Sequence, residues 1–111
     1  MGFLSKLFGK KEEEKAASSP KVQVSKAASE KSIPPEKVGI DGDFDESGLA
    51  KRVAQALDEA NISDNVGLWV AQEGNTVVLK YNDDAKDVLA QAEQVAKGVE
   101  GAGGVQTVPN S

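Results

Sequence analysis

Residues 40–48 read IDGDFDESG and set Asp41, Asp43 and Asp45 at alternate positions. Carboxylates at that spacing open the calcium loop of an EF-hand, where the first, third and fifth residues offer hard oxygen ligands to one ion. That loop also needs glycine at its sixth position and glutamate at its twelfth, and the chain has Glu46 and Arg52 there. The same acids suit a helix start. Asp43 and Glu46 have capping-box spacing, and Asp45 favours the positive end of a helix dipole. Helix capping is therefore the first reading of Asp41, Asp43 and Asp45, and a weak cation site the second.

Other site chemistries are excluded by composition. The 111 residues contain no cysteine and no histidine. Disulfides, thiolate nucleophiles, Ser-His-Asp machinery and ordinary zinc sites are therefore absent. The remaining carboxylates fall on caps and exposed helix faces, and no glycine-rich phosphate loop follows a strand. The expectation is a protein that is not an enzyme and needs no cofactor. A net charge of −5, from 18 acidic and 13 basic residues, repels a phosphate backbone and argues against nucleic acid as a partner.

The first eleven residues, MGFLSKLFGKK, carry a different signal. At about 100° per residue, Phe3, Leu4, Leu7 and Phe8 fall on one arc of about 140°. Ser5 and Lys6 lie opposite, Lys10 flanks the arc and Lys11 follows it. This is a short basic amphipathic segment suited to an anionic phospholipid surface. Burying four such side chains yields roughly 6–12 kcal/mol at most, against about 9–18 kcal/mol for ordering nine backbone residues. Three lysines add about 3 kcal/mol near anionic lipid. The expected binding is weak and reversible. Docking on the chain's own domain, docking on a protein partner and an inert tail are the alternatives. Lys6 stands where a myristoylation signal needs Ser or Thr, so lipidation is rejected. The apolar stretch is too short for a secretory signal or a membrane span. The expected location is the cytoplasm, or the inner face of its membrane as a peripheral protein.

The elements that must position these residues follow from periodicity. Residues 12–40, rich in Glu, Lys, Ser and Ala and containing Pro20, Pro34 and Pro35, read as a flexible linker with a span of roughly 30 Å. Within it KVQV, residues 21–24, has the look of a transient strand. Leu49, Val53, Ala56, Leu57 and Ala60 recur at helical spacing over about 45–60, with Asn61 just beyond the end. NVGLWVAQ alternates Val66, Leu68 and Val70 against Gly67, Trp69 and Ala71, the pattern of a half-buried strand. Glu73-Gly74-Asn75 turns into NTVVLKY, completing a hairpin. Asn82, Asp83 and Asp84 start a second helix striped by Val88, Leu89, Ala92, Val95, Ala96 and Val99. GGVQTVPN supplies a third strand stopped by Pro109. The order α-β-β-α-β predicts an α+β domain over 41–111, a three-stranded sheet with both helices on one face, preceded by a disordered N-terminal tail. Trp69, Val78 and Lys80 then share the sheet's other face. They form a docking patch for the tail, a partner or a second copy, unless Trp69 folds over the sheet edge to close the core.

The order of elements and several motifs resemble the BON domain family. Those motifs are Ala56-Leu57 near the end of the first helix, GNTVVL in the hairpin, VAKGVEG at the end of the second helix, and GVQTV with Asn110. The resemblance covers nearly all of 43–110. It departs after the second strand, where many members have a glycine and this chain has Tyr81-Asn82-Asp83-Asp84. The resemblance implies a phospholipid- or envelope-associated binding module, linked in some members to osmotic stress. A potassium-binding member also carries a LysM module, and this sequence has none. Three functions stay open: a module tethered to membrane lipid through 1–11, a K⁺ or Ca²⁺ sensor built on Asp41–Asp45, and a regulatory factor whose tail binds a partner protein.

Overall fold

The computed structural model describes residues 2–18 and 24–110. Three helices precede the expected domain: α1 (Phe3–Phe8), α2 (Lys10–Ser18) and α3 (Val24–Lys31). A 3₁₀ turn at Pro35–Lys37 leads into α4 (Gly48–Glu59), β1 (Leu68–Glu73) and β2 (Thr76–Tyr81). A second 3₁₀ turn at Asp83–Ala85 opens α5 (Lys86–Lys97), and β3 (Gly104–Pro109) completes the chain's elements. The α+β class, the element order and the three-stranded sheet are those the periodicity predicts.

The sheet order is β1-β2-β3, antiparallel across the first pair and parallel across the second. The hairpin turn is short because Glu73 pairs directly with Thr76. Gly74 takes φ 58° there, a left-handed conformation that costs glycine little. The parallel pair needs a crossover. At 12 residues, α5 is about 18 Å long, close to the roughly 20 Å of a six-residue strand. It therefore carries the chain back to the starting end of β2.

Leu68, Val70, Val77 and Leu79 point from the sheet into one core with Leu49, Val53 and Leu57 of α4 and Ala92 and Ala96 of α5. The α4 stripe ends as the sequence predicts. Asn61 adopts φ 60°, Asn61 N–H donates to the Asp58 carbonyl, and Ile62 N–H donates to the Leu57 carbonyl. This Schellman closure drops Ile62 into the core.

The start of α4 differs from expectation. Asp43 and Glu46 form no capping box. Instead the Asp45 side chain accepts from Ser47 N–H at 2.9 Å and its carbonyl from Gly48 N–H at 2.9 Å, so the helix begins at Gly48. A local side-chain turn has won over helix propagation.

Two further expectations are corrected. The N-terminal tail is not disordered, because Phe3 and Leu4 of α1 belong to the main core. The segment 12–40 is not a featureless linker either. Val24, Ile33 and Val38 form a second small cluster, and Ile40 reaches the main core. The strand reading of 21–24 falls on residues 21–23, outside the described residues, while Val24 opens a helix.

Arg52 joins these layers. It is 8 % exposed and donates from Nε to the Val38 carbonyl at 2.7 Å, and from its two terminal nitrogens to the carbonyls of Pro35 and Glu100. Burial lowers its pKa from the ordinary arginine value, an effect that the Glu100 charge opposes. Three main-chain dipoles thus satisfy a buried charge to which, among the described residues, no side-chain carboxylate is hydrogen-bonded. Gly48 packs as closely: a β-carbon there would stand 2.6 Å from the Val38 carbonyl carbon.

Two substitutions test this frame by urea unfolding. Gly48→Ala should destabilise by about 2–3 kcal/mol through overpacking against backbone, although alanine favours a helix interior by about 1 kcal/mol. Arg52→Met should cost about 3 kcal/mol by stripping three carbonyls of their donor.

Candidate functional site

Residues FLSKLF of α1 lack β-branched and helix-breaking types, and Gly9 at φ 100° ends the helix. So short a helix is not stable alone and needs tertiary support. It receives that support at both ends and along one face. Phe3 N–H and Leu4 N–H donate to the two carboxylate oxygens of Asp58 at 2.6 and 3.2 Å. A carboxylate from the last turn of α4 therefore caps the first turn of α1 and meets the positive end of its dipole. Farther along, Lys6 Nζ donates to the carbonyls of Asp64 and Val66, each at 2.8 Å.

The apolar face is used inside the protein. Phe3 is 0 % and Leu4 2 % exposed, while Leu7 and Phe8 are half-buried against the same core. Burial of Phe3 and Leu4 contributes about 3–6 kcal/mol. Of the expected membrane-contact residues, only Lys6, Lys10 and Lys11 are fully on the surface, and Lys6 is already engaged. The opening stretch thus covers the flank of α4 in this state, the self-docked alternative, and does not present its apolar arc to solvent.

The acidic loop also turns out to be internally matched. Asp43 pairs with Lys31 at 2.5 Å, Asp45 with Lys51 at 2.8 Å, and Asp41 with Lys15 at 3.8 Å. Lys51 also meets Glu12 at 3.3 Å, joining α2 to α4. Three carboxylates that looked like cation ligands each face a separate ammonium group and do not converge on one point. The described residues contain no cluster of three potential metal ligands.

These pairs shift titration. The hydrogen bond from Lys31 holds Asp43 below the usual carboxylate range and raises Lys31 in turn. Burial pushes Asp45 up, but the Lys51 hydrogen bond, the Ser47 N–H and the Lys51 charge outweigh it and leave the group low. Lys51 is raised because Asp45 and Glu12 outweigh its own desolvation.

The expected patch lies where the register puts it. Trp69 pairs with Lys80 and Ala71 with Val78 across the hairpin, and Val78 and Lys80 face Gln106 and Val108 of β3. These side chains share the face opposite the core. Ala71, Lys80 and Gln106 are exposed and Trp69 and Val108 half-buried, but Val78 is buried and offers a partner little surface. Trp69 also borders a shallow depression with Ser5, Lys6, Asn65 and Asn82, beside the seat of α1. A separate cavity of about 250 Å³ lies between α4 and the end of α5, walled by Val24, Ile40, Ala56 and Val99. Among the described residues, no helix is long and apolar enough to cross a membrane.

Comparison with protein-family models, with curated proteins and with solved structures finds no match. The site therefore rests on its own geometry. Its residues missed by sequence reasoning are Asp58, Lys51 and Phe44. Asp58 did leave a signal: acids in the last turn of a helix oppose its dipole, and α4 ends with Asp58 and Glu59 and no base. Phe44, 56 % exposed beneath the Lys37 ammonium, left none.

Acid should loosen the loop. Asp45 titrates lower folded than unfolded, so its stabilisation is present above its unfolded pKa of about 4 and is lost as pH falls through the lower folded value. Thermal unfolding followed by circular dichroism should show a melting temperature that declines below about pH 4, and Asp45→Asn should flatten that decline.

Proposed function

We propose that the chain is a non-enzymatic, BON-like binding module that attaches peripherally and reversibly to anionic phospholipid through its N-terminal segment. The observation that carries this reading is the way α1 is held. Its apolar arc is stored against α4 by a six-residue helix with polar contacts at Asp58 and Lys6, followed by a left-handed glycine. A bilayer offers the same side chains an equivalent apolar environment, and it offers Lys6, Lys10 and Lys11 phosphate in place of carbonyls or water.

The transfer is close to balanced. Phe3 and Leu4 are removed from water in both places, so their burial largely cancels. Leaving the domain uncovers apolar surface on α4, and three lysines gain about 3 kcal/mol at an anionic surface. Binding in this regime is weak, salt-dependent and reversible. The inner face of the cytoplasmic membrane is the surface that fits a basic segment of this kind. The element order shared with BON domains supports the same reading.

Capture of a protein on the outer sheet face is the second reading, favoured by Trp69, Ala71, Val78 and Val108 lying away from the helices. In that case the docked α1 is a permanent part of the core.

Flotation on vesicles separates the two. The full chain should float with anionic vesicles at low salt, remain behind with zwitterionic ones, and be released by salt. The exposed pair Lys10→Gln/Lys11→Gln should weaken binding by about thirtyfold, at about 1 kcal/mol per lysine. No flotation of the full chain on anionic vesicles at low salt overturns the lipid reading in favour of the sheet face.

A further inference from the structure

We propose that Asp58 is a latch: its carboxylate keeps the N-terminal segment stored on the domain, and a bilayer must break that contact to bind the chain. This inference rests on the lipid reading above and names the regulation of that site.

A bilayer shifts the equilibrium between the stored and released states only through contacts that differ between them. Phe3 and Leu4 are out of water in the stored state, with 0 % and 2 % exposure, and out of water again in lipid. Lys6 donates to two carbonyls in the stored state and finds phosphate oxygens at the membrane. Neither feature discriminates strongly. The paired bonds from Phe3 N–H and Leu4 N–H to the Asp58 oxygens exist only in the stored state. They also join a fixed carboxylate to the one segment that would enter an anionic surface, and that surface repels the carboxylate. The apolar cover lost from α4 is a constant cost. Asp58 is the charged group that the α1 backbone itself meets in the stored state, beside the Glu12–Lys51 pair that ties α2 to α4.

Gly2 shows how close this contact is. Its backbone is extended, at φ −171° and ψ −169°. A β-carbon there would stand 2.5 Å from the Asp58 carboxylate carbon. A side chain at residue 2 would make the Asp58 carboxylate shift. Residue 2 and residue 58 therefore form one fitted junction, made from the two ends of the α1–α4 contact.

A stored segment lowers apparent lipid affinity by the fraction of chains that have it released. Weakening the latch must raise affinity, the opposite of what loss of a structural contact does to an ordinary binding site. The test uses full-length Asp58→Asn beside the wild-type chain. Two quantities are read: partition onto anionic vesicles, and amide exchange in α1 and in the β2 strand without lipid.

The expected result is faster exchange in α1, unchanged exchange in β2, and partition about tenfold tighter than wild type. Faster α1 exchange with unchanged partition, in a wild-type chain that does bind, overturns the latch and leaves the lipid reading standing. Unchanged α1 exchange overturns the latch whatever the vesicles do. If α1 is released and neither chain binds vesicles, both the latch and the lipid reading fail. If β2 also loses protection, Gly2→Ala replaces the variant. It crowds the same junction without altering any charge, and the same outcomes decide.

Discussion

The structure depends on covering α4. Its residues Leu49, Ala50, Val53, Ala54 and Leu57 are all buried, and at 100° per residue they occupy an arc of about 140°. A three-stranded sheet of six-residue strands, with one further helix, covers only part of such an arc. The rest must be closed by something else or left wet. Phe3 and Leu4 close one flank, and the segment around Val38 and Ile40 closes another. The described segments ahead of α4 are thus recruited by the apolar surface that the sheet leaves over.

Recruitment of that kind needs polar fasteners, because the recruited helices are short and not stable alone. Two α4 side chains, six positions apart, supply them. Arg52 collects carbonyls from the 3₁₀ turn, from Val38 and from the loop before β3. Asp58 collects the amide groups at the start of α1. One presents a cation to oxygen atoms and the other an anion to N–H groups, each matching the unsatisfied backbone groups that approach it. Lys51, on the same helix, gathers Asp45 and Glu12. A helix read from sequence as an amphipathic core element is also the hub for the chain's irregular segments.

The acidic loop shows why residue type alone is a poor guide to a site. Three alternating aspartates carry enough charge for a cation, but α2, α3 and α4 each deliver a lysine to one of them. Those lysines are 26, 12 and 6 positions away in the chain, and only Lys51 lies within a helix length. The same holds for the opening stretch. Its arc of apolar residues fits a bilayer and fits α4, and amphipathic pattern does not distinguish a lipid surface from a protein one.

Periodicity determined the regular part of this protein. The α-β-β-α-β order, the hairpin at Gly74, the left-handed close at Asn61 and the two faces of the sheet follow from local spacing and turn chemistry, which act over a few residues. The position of Trp69, Val78 and Lys80 on the outer face follows from the same two-residue period. The tertiary structure alone decided the rest: where the N-terminal segment lies, which lysine meets which aspartate, and that Asp58 and Arg52 hold backbone from distant parts of the chain. Those contacts join residues up to 60 positions apart. They are set by which apolar surface remains uncovered and which backbone groups remain unpaired once the sheet and its helices have packed, and neither quantity exists until they have.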